Sequence, residues 1–305
     1  MRIAITRALP EPSSTEILIG HEVVPLEDLP QGQREAELAS ADALLATPVE
    51  RIDEALLAGA PRLRIVANCA VGYDNIDLAA CRRRGIVATN TPGVLTETTA
   101  DLAMLLILAV LRRLREGEAL ARSGSWVGIR PTQLLGTDLR GKTLGIYGLG
   151  RIGEALARRA RAFGMEILAV RRSDGPGSFQ ALLERSDVIS VHAPLTQETR
   201  GRFGRDELFA MRKGAFLVNT ARGPLVSEEA LVEALEAGHL GGAGLDVYED
   251  EPRIHPGLVG RDDVVLLPHL GSATRETRLA MARRACEEIA RFFRGEPALS
   301  RVDGG

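Results

Sequence analysis

The chain has 305 residues, 45% of them apolar and 26% charged, with a formal net charge of −3. That length suits two domains, and the composition is that of an ordinary globular protein. The charge excludes any global attraction to nucleic acid or membrane, so anion recognition has to come from local sites.

Short apolar runs alternate with amphipathic stretches along the chain. Residues 3–6, 22–26, 43–47, 63–69 and 86–90 are predicted as a first set of strands separated by helix-length segments. This is the βαβ rhythm of a parallel sheet covered on both faces. Residues 96–123 then form a long helical pattern whose first half, ADLAMLLILAVL, is apolar enough to be buried nearly all round. It is expected to join two domains and to take part in a subunit interface. A second set of strands follows at 142–147, 166–170, 188–192, 215–219, 244–247 and 264–267, and a last helix at 274–293 is placed to return to the first domain. The tail, residues 301–305, is expected to fray.

Cys69, Cys81 and Cys286 are widely spaced, match no metal pattern and are expected to be reduced thiols; no metal site is expected. The first residues, MRIAITRALP, lack an apolar signal core, and the longest apolar run, 102–111, is half a membrane span. A cytoplasmic protein is the expectation. Of the 38 basic residues only Lys142 and Lys213 are lysines. Genome composition and a hot habitat both produce that bias, and the sequence does not separate them.

Gly148, Gly150 and Gly153 spell G-x-G-x-x-G directly after a predicted strand and at the start of a helix. Glycine permits the tight turn, the approach of a pyrophosphate to the backbone and close helix–strand packing. The helix N-terminus then faces the phosphates. The next strand ends at Val170, where an acid would accept from a ribose 2′-hydroxyl. Arg171, Arg172 and Ser173 stand there instead. Guanidinium forks and a hydroxyl suit a 2′-phosphate, so NADP(H) is favoured, with NAD(H) possible.

Polar groups gather at three later strand ends, in NTARGPLV (219–226), GLDVYEDEP (244–252) and LPHLGSAT (267–274). With VGYDNID (71–77), TPGVLTETTAD (91–101) and DLRGKTLGIYGLGRIG (138–153), these segments resemble the D-2-hydroxyacid dehydrogenase family over nearly the whole chain. Arg222 and Glu251 lie 29 residues apart and Glu251 and His269 18 apart, which is similar to the family's spacing.

The resemblance implies an α/β fold of two doubly wound parallel-sheet domains, a flavodoxin-like substrate domain and a Rossmann cofactor domain, with a cleft between them. It assigns 1–95 with 275–305 to the first and 96–274 to the second, with 96–123 as the interdomain and dimer helix. It also implies hydride transfer to the C2 carbon of a 2-keto acid. His269 would supply the proton, Glu251 would orient it, and Arg222 would fork onto the substrate carboxylate. Backbone N–H groups of Val71 and Gly72 would hold the other end of that carboxylate. Cofactor contacts carried over are Gly148, Gly150, Arg151, Ile152, Gly153, Arg171, Arg172, Ser173, Pro194, Thr220, Ala221, Asp246 and Gly271, with Asp246 orienting the nicotinamide amide. His21, His192, His239 and His255 are read as structural or exposed.

Within the family the nearest likeness is to glyoxylate/hydroxypyruvate reductases, carried by the basic cofactor end and by LPHLGSATRETR (267–278). 3-Phosphoglycerate dehydrogenase and broad D-2-ketoacid reductase are the rival enzymes, and a dinucleotide-sensing corepressor-like binding protein is the reading of a different class. Two departures stand out. SWVGIRP (125–131) resembles a reductase segment with two tryptophans, one of which reaches the neighbouring subunit's substrate; here Trp126 is present and Ile129 stands at the second position. Only thirteen residues separate Ser173 from Asp187, so a helix and strand on the adenosine side are expected to be missing, leaving NADP selectivity incomplete.

Overall fold

The computed structural model describes residues 1–10 and 14–302. The chain divides into two compact units, Met1–Leu95 with Ala273–Gly305, and Thr96–Ser272.

The first unit runs β1 (Arg2–Ile5), β2 (Glu22–Pro25), α1 (Gln31–Ser40), β3 (Ala43–Ala46), α2 (Glu54–Gly59), β4 (Ile65–Asn68), α3 (Leu78–Arg83) and β5 (Val87–Thr89). Its sheet has the order β2-β1-β3-β4-β5, and every pair is parallel. Alternate residues of each strand enter opposite cores. Ile3, Leu45, Ile65 and Ala67 lie in one, and Ala4, Leu44, Ala46 and Val66 in the other. Strands buried on both faces read as near-continuous apolar runs, as the central β3 (ALLA) and β4 (IVAN) do. Asp53 and Asp77 start the short helices α2 and α3 by accepting from the N–H groups of Leu56 and Ala80.

The second unit begins with α4 (Thr96–Leu111) and α5 (Leu114–Arg122). The single long helix expected here is broken: Arg113 takes left-handed φ of 51° and its guanidinium pairs with Glu116 at 2.9 Å. No glycine or proline marks that break. Burial along the apolar half of α4 is nearly complete, with Leu105 the main exception at 49% exposed. Then come β6 (Thr143–Tyr147), α6 (Arg151–Ala162), β7 (Glu166–Val170), α7 (Pro176–Arg185), β8 (Val188–Val191), α8 (Arg205–Ala210), β9 (Phe216–Asn219), α9 (Glu228–Glu236), β10 (Gly242–Leu245), α10 (Pro256–Val259) and β11 (Val264–Leu266).

The parallel order is β11-β10-β9-β8-β6-β7. A doubly wound dinucleotide sheet of order 3-2-1-4-5-6 carries two strands on the side of its first strand where this one carries one. A single helix, α7, spans the short segment from β7 to β8, and β7 is left as the edge.

The chain then returns to the first unit as α11 (Arg275–Phe293), capped by Thr274 and buried along Met281, Ala282, Ala285, Cys286 and Ile289. The tail departs from expectation. The fully buried Glu288 accepts from the Leu299 N–H at 2.9 Å, Arg301 bridges Thr89, and the Val302 N–H reaches the Ala88 carbonyl at 2.9 Å. Only 303–305, the rest of the expected fray, lies outside the described residues. All three cysteines are free thiols, and burial pushes Cys69 up to about 11 and Cys286 to about 12. No described helix is long and apolar enough to cross a membrane.

Candidate active site

Ligands bind open α/β sheets beyond the carboxyl ends of the strands, where the winding reverses. In the second unit that place lies between β6 and β8. Gly148 follows β6 with φ of +98°, and a Cβ there would sit 2.5 Å from the Ala193 nitrogen. Only glycine allows the loop to lie this close to the chain leaving β8.

Gly150 N-caps α6 with no side-chain acceptor, so the first-turn N–H groups of Arg151, Ile152 and Gly153 are not capped by a side chain of residue 150. Space in front of Gly150 is open, since an added Cβ meets nothing within 4 Å. The Thr220 hydroxyl, just beyond β9, is buried with no hydrogen-bond partner among the described residues. A glycine cradle, a helix N-terminus and an unmet hydroxyl fit the phosphates and polar edge of a dinucleotide.

The adenosine end is built differently. Arg171 to Asp174 form a turn in which the Asp174 N–H meets the Arg171 carbonyl at 3.0 Å, and the Asp174 carboxylate accepts from the Arg171 N–H at 2.8 Å. Sequence reading saw the two arginines and Ser173 but gave no weight to this acid one residue on. The Arg171 guanidinium lies 3.5 Å from Glu154, and both side chains are exposed. Pro194 belongs to a turn in which its carbonyl accepts from the Thr199 hydroxyl at 2.8 Å. His192 bonds Ser190 at 2.8 Å through Nε2, and burial drives its pKa down to about 4, so it is neutral near pH 7.

The remaining groups meet at the carboxyl ends of β9, β10 and β11. Arg222 leaves β9 through a turn that Asn219 holds from both sides: its Nδ2 donates to the Arg222 carbonyl at 2.9 Å and its Oδ1 accepts from the Ala221 N–H at 3.0 Å. Gly223 follows because its Cα abuts the Tyr248 backbone, where a Cβ would fall 1.8 Å from the carbonyl. That contact brings the Arg222 turn against the loop after β10, which carries Glu251.

Glu251 accepts from the Tyr248 N–H at 3.1 Å with Oε1 and meets His269 Nδ1 at 2.8 Å with Oε2. Burial raises its pKa, but the bond and charge of His269, the Tyr248 N–H and the charge of Arg222 bring the net value below the ordinary carboxylate range.

His269 itself has φ of 55°, a left-handed backbone that a non-glycine residue adopts only when its surroundings hold it there. Asp246 does the holding. Its carbonyl accepts from the His269 N–H at 2.9 Å, and its carboxylate takes the Leu270 and Gly271 N–H groups at 2.6 and 2.8 Å. Asp246 is completely buried, which pushes its pKa up against those two bonds and the charge of His269. Thr99 secures the far side by donating to the Gly271 carbonyl at 2.9 Å.

With Nδ1 committed to Glu251, Nε2 is the imidazole nitrogen left to exchange a proton with a ligand. A guanidinium, a carboxylate and an imidazole in one corner, near a dinucleotide cradle on the same sheet, form a constellation for reducing a carbonyl beside a carboxylate.

The model of the D-isomer specific 2-hydroxyacid dehydrogenase NAD binding domain matches residues 104–271. This chain belongs to that dehydrogenase family. It is 45% identical to the glyoxylate reductase of Thermococcus litoralis, over 97% of this chain and 94% of that one. Among solved structures it is similar to a protein of Thermus thermophilus, with a TM-score of 0.93, 46% identity and coverage of 99% and 100% of the two chains. It also resembles the NADPH-dependent glyoxylate/hydroxypyruvate reductase of Sinorhizobium meliloti, solved with NADP and malonate, with a TM-score of 0.87, 36% identity and coverage of 99% and 96%.

The structure thus groups Arg222, Glu251, His269, Asp246 and Gly271 in one corner of the dehydrogenase, and Gly148, Gly150, Arg151, Ile152 and Gly153 in the β6–α6 cradle. Thr220 and Ala221 follow β9. Val71 and Gly72 belong to the other unit, in the loop after β4. Sequence reasoning missed Asn219 and Tyr248. Asn219 had one available signal, an amide ending a strand two residues before a functional turn.

Proposed function

We propose that this dehydrogenase reduces glyoxylate and hydroxypyruvate to glycolate and D-glycerate, with NADPH favoured over NADH. The observation that carries the reading is the 2.8 Å contact between His269 Nδ1 and Glu251 Oε2, held beside Arg222. Reduced nicotinamide dinucleotide, when bound, supplies the hydride that the substrate's C2 receives.

As C2 is reduced, negative charge grows on the carbonyl oxygen. His269 meets that charge by giving up the proton on Nε2, and Glu251 stabilises the imidazolium before transfer and fixes the ring through Nδ1. Arg222 forks onto the substrate carboxylate and aligns the carbonyl. The backbone N–H groups of Val71 and Gly72, in the first unit, are assigned by the family resemblance to hold a substrate carboxylate. Asp246 sets the His269 turn with both oxygens; its assigned role toward the nicotinamide amide uses lone pairs those bonds leave over.

The cofactor preference rests on Arg171, Arg172 and Ser173. Asp174 in the same turn opposes a 2′-phosphate, so the preference is expected to be partial. A homodimer is proposed through the apolar surface of the α4–α5 arm and the segment after it, where Leu105, Leu114, Trp126, Ile129 and Leu135 are exposed. Three free thiols are consistent with the cytoplasm.

The test is initial rates of NADPH and NADH oxidation with glyoxylate, hydroxypyruvate, pyruvate and 3-phosphohydroxypyruvate. Faster NADPH oxidation with the first two is the expected result. Preference for either of the others would keep the chemistry and replace the substrate. Tight dinucleotide binding with no turnover of any would overturn the enzyme reading in favour of a dinucleotide-sensing binding protein.

A further inference from the structure

We infer that Asn68, Asn75 and Asn90 are positioning residues that turn the backbone N–H groups of Val71, Gly72 and Tyr73 outward as a preset carboxylate anchor. This rests on the carboxylate role proposed above for Val71 and Gly72, and it adds Tyr73 as a third donor.

The loop after β4 has four successive carbonyls, each met by a donor. Ala70 accepts from the Thr91 N–H at 2.8 Å and Tyr73 from the Ile76 N–H at 3.0 Å. Between them, Val71 accepts from Asn90 Nδ2 at 2.8 Å and Gly72 from Asn68 Nδ2 at 2.9 Å. A peptide unit is planar and trans, so holding one carbonyl fixes the N–H of the following residue on the opposite side. The Ala70 carbonyl therefore sets the Val71 N–H, Asn90 sets that of Gly72, and Asn68 sets that of Tyr73.

None of these three N–H groups has a hydrogen-bond partner among the described residues, although Val71 and Gly72 are half-buried. Half-buried N–H groups left unpaired are costly unless water or a ligand meets them, and a run of them makes an anion site.

The asparagines are themselves fixed. Asn68 is fully buried and Asn90 nearly so. Asn68 Nδ2 also reaches Asn75 Oδ1 at 3.1 Å, and Asn75 Nδ2 donates to the carbonyls of Glu50 and Thr47 at 3.0 and 3.3 Å. The anchor is thereby tied to the loop after β3. A ligand carboxylate then finds its donors already oriented, which spares the cost of ordering them.

The experiment compares glyoxylate with its methyl ester, which keeps the aldehyde and lacks the carboxylate charge. kcat and KM for both are measured at saturating NADPH, together with thermal midpoints, for the full-length wild type, Asn90→Ala, Asn68→Ala, the more distant Asn75→Ala and Arg222→Gln. The wild type is expected to prefer the acid strongly.

In the Asn90 and Asn68 variants the KM for glyoxylate should rise about ten-fold, with kcat and the ester's constants changing by less than about three-fold. Asn75→Ala should show the same pattern more weakly. Equal losses on acid and ester, tracking a lowered midpoint, would mean a merely structural role and overturn the inference. An unchanged acid-over-ester ratio in all three asparagine variants, with its collapse in Arg222→Gln, would overturn it while leaving the substrate reading intact. A wild type indifferent to the carboxylate would instead remove the reading on which the inference rests.

Discussion

The first sheet places β1 between β2 and β3, and the second places β6 between β7 and β8, so each unit has a crevice where its winding reverses. In the first unit that crevice holds a side chain. Glu50, 9% exposed, accepts from the Thr6 hydroxyl at 2.8 Å, the Thr47 N–H at 3.1 Å and hydroxyl at 2.7 Å, and Arg7 Nε at 3.0 Å. In the second unit the loop leaving the central strand β6 opens with Gly148, which has no side chain, and leads into the N-terminus of α6. The strand order is shared and the use is not. One crevice is closed by an internal carboxylate that steadies loops; the other is open to a ligand's phosphates. Fold supplies the place, and a few side chains decide what occupies it.

The sharpest way to break this comparison is to substitute both crevices. Gly148→Val puts a branched side chain at positive φ against the Ala193 backbone, and NADPH affinity by fluorescence titration should fall about hundred-fold. Glu50→Gln should leave that affinity within about two-fold while lowering the urea-unfolding free energy by about 1–3 kcal/mol. Dinucleotide loss in the Glu50 variant would mean that the first crevice is no mere scaffold.

Glu251→Gln comes next, with an expected fall of about ten- to thirty-fold in kcat/KM. Glu251 is ionised at neutral pH and holds His269 Nδ1 at 2.8 Å, so removing its charge should lower kcat while leaving the dissociation constant for NADPH within about two-fold. The same depressed carboxyl contributes stability that is present above the ordinary carboxylate range and lost as pH falls through its folded value. A kcat close to wild type would separate Glu251 from the proton step.

The smallest effect is at the exposed turn. Arg171→Asp should lower the ratio of kcat/KM with NADPH to that with NADH by about ten-fold. An unchanged ratio would make the basic pair ordinary surface.

The strands were legible because parallel strands buried on both faces are continuous apolar runs, bounded by caps and glycines. The cofactor loop and the Arg222, Glu251 and His269 segments were legible as motifs at strand ends. What stayed hidden was the second layer of polar bonds. Asn219, Asn68 and Asn90 act on backbone groups distant in sequence or across a turn, and only Asn219, beside the Arg222 turn, carried a local signal. Asp246 stood out as an acid, yet its grip on the Leu270 and Gly271 N–H groups needs the tertiary fold to be seen. The break at Arg113 was invisible because its left-handed backbone carries neither glycine nor proline, and the tail looked loose because Arg301 and Val302 are held by Thr89 and Ala88 of β5, far away in sequence.

The most direct test of the account is His269→Ala, with kcat for glyoxylate and the dissociation constant for NADPH measured on the same preparation. The account predicts a kcat lowered about a thousand-fold with NADPH binding unchanged within about two-fold. A kcat close to wild type, or an equal loss of cofactor binding, would contradict the assignment of His269 as the proton donor.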